Sequence, residues 1–146
     1  MTETFQNQIK MTLYDLSDEV KMQLSELNQS TENITRGPDH KLFERGILLG
    51  YLQGQRQMIH GVEELLEQSV SDEVFKNELT DVQSQLEKDF ASENQTQNDL
   101  KAQTIFTPEK IYQSALALSH AYEIQGKLYI VQSIGAKIKE ISLNED

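Results

Sequence analysis

The sequence contains no cysteine, no tryptophan and only two prolines. Without cysteine the chain can have no disulfide scaffold, no thiolate metal site and no cysteine nucleophile. No stretch approaches the ~18 consecutive apolar residues that a membrane-spanning helix needs. The first residues, Met1 to Phe5, also have no apolar signal core. We therefore expect a cytoplasmic protein with no membrane partner.

Basic residues are scarce as well. The chain has 13 lysines and arginines against 24 aspartates and glutamates, which gives a net charge of -11. Because binding to a phosphate backbone requires clustered positive charge, we expect no direct nucleic-acid binding. An acidic chain can instead imitate nucleic acid in the basic cleft of another protein. An acidic inhibitor of this kind is the first alternative function.

Apolar residues recur at steps of three and four along most of the chain, which is the period of an amphipathic helix. The pattern predicts an all-α, bundle-like fold in which one domain spans residues 1–146. Four long helices are expected, near residues 5–27, 39–68, 72–90 and 108–142.

Turn signals separate the predicted helices. Gly37-Pro38-Asp39 and Thr107-Pro108-Glu109 are typical helix starts, and Ser71 after the Ser69-Val70 break can cap the third helix. The polar stretches 28–36 and 92–103 are predicted to lie between helices.

The two halves of the chain resemble each other, which suggests an internal duplication of residues 3–70 and 73–143. At an offset of 70, Phe5, Leu16 and Pro38 align with Phe75, Leu86 and Pro108. After the prolines the offset changes, and Gly54 aligns with Gly126. Helical periodicity explains the apolar matches, but it does not explain the paired prolines. A duplication predicts two antiparallel helical hairpins related by an approximate two-fold axis.

Small residues form a strip on the second and on the fourth predicted helix. Each glycine costs roughly 1 kcal/mol in a helix interior, so several on one face require an explanation. At about 100° per residue, the two sets fall within sectors of roughly 80° and 40°. The candidate interaction residues are Gly46, Gly50, Gly54 and Gly61 on the second helix, and Ala115, Ser119, Gly126 and Ser133 on the fourth. Two interpretations stay open: a close crossing between these two helices, or a homodimer contact.

No arrangement of residues indicates catalysis or a cofactor. The sequence has no phosphate-binding glycine loop and no Gly-x-Ser-x-Gly elbow. His60 with Glu63 and His120 with Glu123 each lie on one side of a helix, but they lack the Glu-x-x-His spacing of di-metal bundles. We therefore expect no catalytic, cofactor or metal residues, and a metal-binding bundle is the second alternative.

The expected function is a non-enzymatic protein–protein interaction module: an adaptor, an assembly factor or a regulator. Its partner is another protein that the sequence does not identify. The same features favour self-association as a homodimer, because a helix that is apolar on one face and smooth on another needs two neighbours.

Overall fold

Four α-helices make up the computed structural model, which describes residues 1–29, 39–102 and 107–145. They are α1 (Glu3–Gln29), α2 (Asp39–Gln68), α3 (Asp72–Lys101) and α4 (Pro108–Glu145). The described residues contain no strand. The predicted all-α fold with four long helices is therefore confirmed. None of the described helices is both long and apolar enough to cross a membrane.

The helix starts form where the sequence predicts them. The Ser71 hydroxyl accepts a hydrogen bond from the Val74 amide at 3.2 Å, so Ser71 caps α3. The Thr107 hydroxyl accepts one from the Lys110 amide at 3.3 Å, and Pro108 is the first residue of α4. The predicted turn at Gly37 and Pro38 lies outside the described residues.

The predicted end of the third helix is wrong. We expected residues 92–103 to connect two helices, but α3 continues to Lys101. Hydrogen bonds one turn apart satisfy the polar side chains there, as in the 2.8 Å bond that the Gln95 amide donates to the Asp99 carboxylate. Leu100 is buried at the end of the polar stretch. The helix continues because these residues meet each other and a neighbouring helix.

The helices pair as two antiparallel hairpins, α1 with α2 and α3 with α4, and the starts of the two hairpins lie side by side. The N-terminal amine of Met1 donates to the Val70 carbonyl at 3.2 Å, which places the start of α1 beside the end of α2. The rings of Phe5 and Phe75 then meet edge to face, with centroids 5.9 Å apart. At the same end, the Asp72 carboxylate accepts hydrogen bonds from the amide and hydroxyl of Thr2 at 3.1 and 2.9 Å. The starts of α1 and α3 are thus adjacent.

One hydrophobic core draws on all four helices. α4 is central to it, because α4 packs against α1, α2 and α3. The largest fully buried side chains of the molecule are Ile9, Leu13 and Val20 of α1, Leu52, Val62 and Leu66 of α2, Phe75 of α3, and Ile130, Val131 and Ile134 of α4. The core does not extend to the first turns of α2 and α4. The candidate functional surface lies at these turns.

Candidate interaction surface

The two central helices touch through their backbones at Gly54 and Gly126. A Cβ atom placed on Gly54 would lie 2.7 Å from the carbonyl carbon of Glu123 and closer still to its oxygen. A Cβ atom on Gly126 would lie 2.9 Å from the Gln55 nitrogen and closer still to the Tyr51 carbonyl oxygen. Neither position has room for a methyl group. Only glycine lets α2 and α4 approach this closely, and the gain in dispersion contact offsets its low helix propensity.

The contact is reciprocal. Gly54 meets the residue three positions before Gly126, and Gly126 meets the residue three positions before Gly54. Gly50 lies nearest Ser119 and Tyr122, so α2 and α4 run in the same direction through the crossing. This local two-fold relation has the symmetry that a duplicated hairpin would produce. The duplication itself stays a hypothesis.

The small-residue strip is not one continuous contact. A Cβ atom placed on Gly50 would have ordinary van der Waals spacing, 3.6 Å from the Ser119 carbonyl oxygen, and one placed on Gly46 would have no neighbouring atom within 4 Å. Gly61 meets only Met58 of its own helix. The Ser133 hydroxyl donates to the Tyr129 carbonyl at 2.7 Å and also stays within its helix. The crossing therefore involves only the middle of the strip.

At Gly54 and Gly126 there is no space for a second subunit, because the backbones of Glu123 and Tyr51 already occupy it. These two glycines form a close internal crossing, the first of the two interpretations. Three other predicted residues, Gly46, Ala115 and Ser119, lie elsewhere, along an open groove.

The first turns of α2 and α4 form the walls of this apolar groove. It has a volume of about 570 Å³. Its lining is Leu42, Phe43, Gly46 and Ile47 of α2, Gln97 and Lys101 of α3, and Ile111, Ser114, Ala115, Leu118, Ser119 and Tyr122 of α4. A second depression of about 510 Å³ shares Phe43, Ile47 and Tyr122 with it. Nearly all of the surface in both is hydrocarbon.

Large apolar side chains stand exposed around the groove. We call residues 39–50 and 108–122 the apolar end. Of the twelve exposed large hydrophobic side chains in the described part of the chain, six lie at this end, with exposed fractions between 37% and 66%. They are Leu42, Phe43 and Leu48 of α2 and Ile111, Tyr112 and Leu116 of α4. No residue from 39 to 49 is buried. Such a concentration marks an interaction surface more often than chance exposure does.

The apolar end carries as many basic as acidic side chains, unlike α1 and α3. Residues 39–50 carry two acidic and two basic side chains, and residues 108–122 carry one of each. In contrast, residues 72–94 of α3 carry seven acidic and two basic side chains, and α1 carries five and two. The negative charge is therefore concentrated away from the groove.

Outside the groove, the described residues bring together few side chains that could bind a metal or take part in catalysis. His60 Nδ1 lies 3.4 Å from the Glu63 carboxylate, as its spacing predicts. His120 Nδ1 lies 3.7 Å from Glu93 on α3, and Glu123 lines the same small depression as both. In the parts of the chain that the structure describes, no three histidine, aspartate or glutamate side chains converge as a metal site would require.

At the crossing, the structure shifts the pKa of one side chain, Tyr51. Burial raises the pKa of the Tyr51 phenol above its ordinary value of 10.0, and the neighbouring Tyr129 raises it further. A hydrogen bond with Gln55 partly opposes this shift. The two tyrosine rings lie 6.1 Å apart between their centroids. The Glu19 carboxylate also raises the pKa of Tyr51, as the smallest of these causes.

The sequence did not single out the apolar end. Leu42 and Phe43 align with Ile111 and Tyr112 once a one-residue slip after the prolines is allowed, and this match was the available signal. The same apolar spacing is typical of core residues, so their exposure could not be foreseen. Comparison of the chain with known protein families, characterised proteins and solved structures finds no match.

Proposed function

We propose that this chain is a non-enzymatic interaction module that docks a protein partner at its apolar end. The observation that carries the proposal is the open apolar groove between the first turns of α2 and α4. An amphipathic helix is a common ligand of such a groove, because its apolar face fits between two helical walls. At ~150–250 Å² for a large side chain, the exposed parts of the six apolar side chains amount to roughly 600 Å². This equals the largest apolar patch expected on a typical monomer, about 300–600 Å².

The helix crossing supports this role by fixing the groove. Gly54 and Gly126 hold the backbones of α2 and α4 in contact just beyond the groove. Since neither helix can slide past the other without separating the backbones, the spacing of the two walls is set in advance. A preorganised groove loses little conformational entropy on binding.

Photo-crosslinking in the source cells tests the proposal directly. A benzophenone amino acid replaces Tyr112 at the apolar end or, as the matched control, Tyr14 on α1. The two tyrosines are 66% and 68% exposed, so they differ in location but not in accessibility. We expect a discrete protein adduct from position 112 and none of the same mass from position 14. Equal adducts from both positions, or none from position 112, would contradict the proposal.

An acidic inhibitor is the second candidate, and the excess of carboxylates on α3 favours it. Glu78 and Asp81 are exposed in the region where acidic residues outnumber basic ones seven to two. Replacing both with lysine should weaken binding to a basic cleft, because it leaves five acidic against four basic side chains in residues 72–94 and so removes most of the local negative charge. The same replacement should leave an adduct at position 112 unchanged if the apolar end is the docking surface.

A further inference from the structure

We infer that the apolar end binds a second copy of this chain in a two-fold symmetric dimer. The inference rests on the proposed function, because it uses the same surface and names its occupant. Shape, charge and area each support it.

The apolar end is self-complementary in shape. A two-fold dimer presents the same patch from both subunits, so that patch must supply both the projecting side chains and the cavity that receives them. The groove provides the cavity, with a volume of about 570 Å³. Phe43, which lines the groove, and Tyr112, which follows the groove residue Ile111, are exposed by 61% and 66% and provide the projecting side chains. A second copy therefore brings both parts at once.

Charge favours a second copy over a basic partner at this end. Two chains of net charge -11 repel each other when their acidic surfaces approach. Acidic and basic side chains balance at the apolar end, so two copies can meet there without this cost. A partner selected by positive charge would instead be attracted to the acidic residues of α1 and α3.

The available area suits a reversible dimer. A standard interface buries ~800 Å² on each partner. The six exposed apolar side chains supply roughly 600 Å² of this, on the same ~150–250 Å² basis. The half-buried groove residues Ile47, Leu118 and Tyr122 lie between them and extend the surface. We therefore expect a dimer that dissociates reversibly on dilution.

Sedimentation equilibrium of the purified full chain tests this inference. The average mass should rise from 16.7 kDa towards twice that value as the protein concentration increases. Tyr112→Glu should raise the dissociation constant by at least about 30-fold, because the dimer would bury an unpaired charge. Tyr14→Glu adds the same charge at an equally exposed site on α1 and should leave the constant nearly unchanged. Circular dichroism shows whether both variants keep their helices.

A second measurement does not depend on the folding of a charged variant. Purified protein with the benzophenone residue at position 112 should form a covalent dimer on illumination, and protein labelled at position 14 should not. A wild-type chain that stays monomeric, a dimer that Tyr112→Glu does not weaken, or an adduct only within one chain would overturn the inference. If the pure chain is monomeric but position 112 captures another protein in cells, the second copy is wrong and the proposed function stands.

Discussion

Gly54 and Gly50 lie one helical turn apart, yet their surroundings differ. Gly54→Ala places a methyl group against the Glu123 backbone, whereas Gly50→Ala places one 3.6 Å from its nearest neighbours. Both variants recover roughly 1 kcal/mol of helix propensity. We expect Gly54→Ala to lose about 1 to 3 kcal/mol to overpacking and to be less stable than wild type. Gly50→Ala should be as stable or more stable.

Urea unfolding of the two variants measures this difference. Gly46→Ala is the control for helix propensity alone, since no atom lies within 4 Å of its added methyl group. If Gly54→Ala were as stable as Gly46→Ala, the backbones would not be in contact at the crossing.

Tyr51 makes stability depend on pH at the alkaline end. Because burial raises its pKa in the folded state above 10.0, the folded protein retains a proton that the unfolded chain releases. This contribution is fully present below about pH 10 and is lost as the pH rises through the folded-state pKa. Tyr51→Phe should therefore make the free energy of unfolding fall less steeply above pH 10.

Phenol absorbance provides the matching readout for Tyr51. In a spectrophotometric titration of the folded protein, Tyr51→Phe should remove a transition above the ordinary phenol pKa of 10.0. Tyr14→Phe removes one exposed phenol from α1 and shows how large a single-tyrosine change is. Loss of an earlier transition in the Tyr51 variant would argue against a desolvated phenol.

At the scale of the element, one side chain caps the start of α3. Ser71 supplies the only side-chain cap described for α3, through its 3.2 Å hydrogen bond from the Val74 amide. Ser71→Ala should reduce the free energy of unfolding by about 1 kcal/mol, since the amide loses its partner. Ser84→Ala, in the exposed middle of the same helix, should instead gain up to about 0.5 kcal/mol. Thermal melts of both variants distinguish a capping effect from a general serine effect.

The whole molecule combines an apolar contact surface with a large negative charge. If two copies associate at the apolar end, the contact is hydrophobic and the long-range force between them is repulsive. Salt reduces this repulsion, because the Debye length falls from ~10 Å at 0.1 M to ~3 Å at 1 M. We expect the dissociation constant measured by sedimentation to fall as sodium chloride is added. A constant that rises with salt would mean that opposite charges hold the dimer together.

Helix positions were largely readable from the sequence. Apolar steps of three and four, the Ser71 cap and Pro108 all act within a few residues of chain, so their effect does not depend on the rest of the fold. The glycines on one face of α2 suggested a close neighbour, but they did not show that only Gly54 would meet a backbone too closely for a Cβ atom. The sequence also left open whether that neighbour is α4 or a second subunit.

Tertiary structure decided which surfaces are covered. Leu42 and Ile111 have the spacing of core residues but are exposed, because the common core ends before the first turns of α2 and α4. His120 lies 3.7 Å from Glu93 of α3, a contact that no sequence pattern indicated, because α3 continues through a polar stretch that was expected to end it. Periodicity shows which face of a helix seeks a neighbour. Which element becomes that neighbour depends on how all four helices pack together. That packing is set by contacts between residues that are far apart in the sequence.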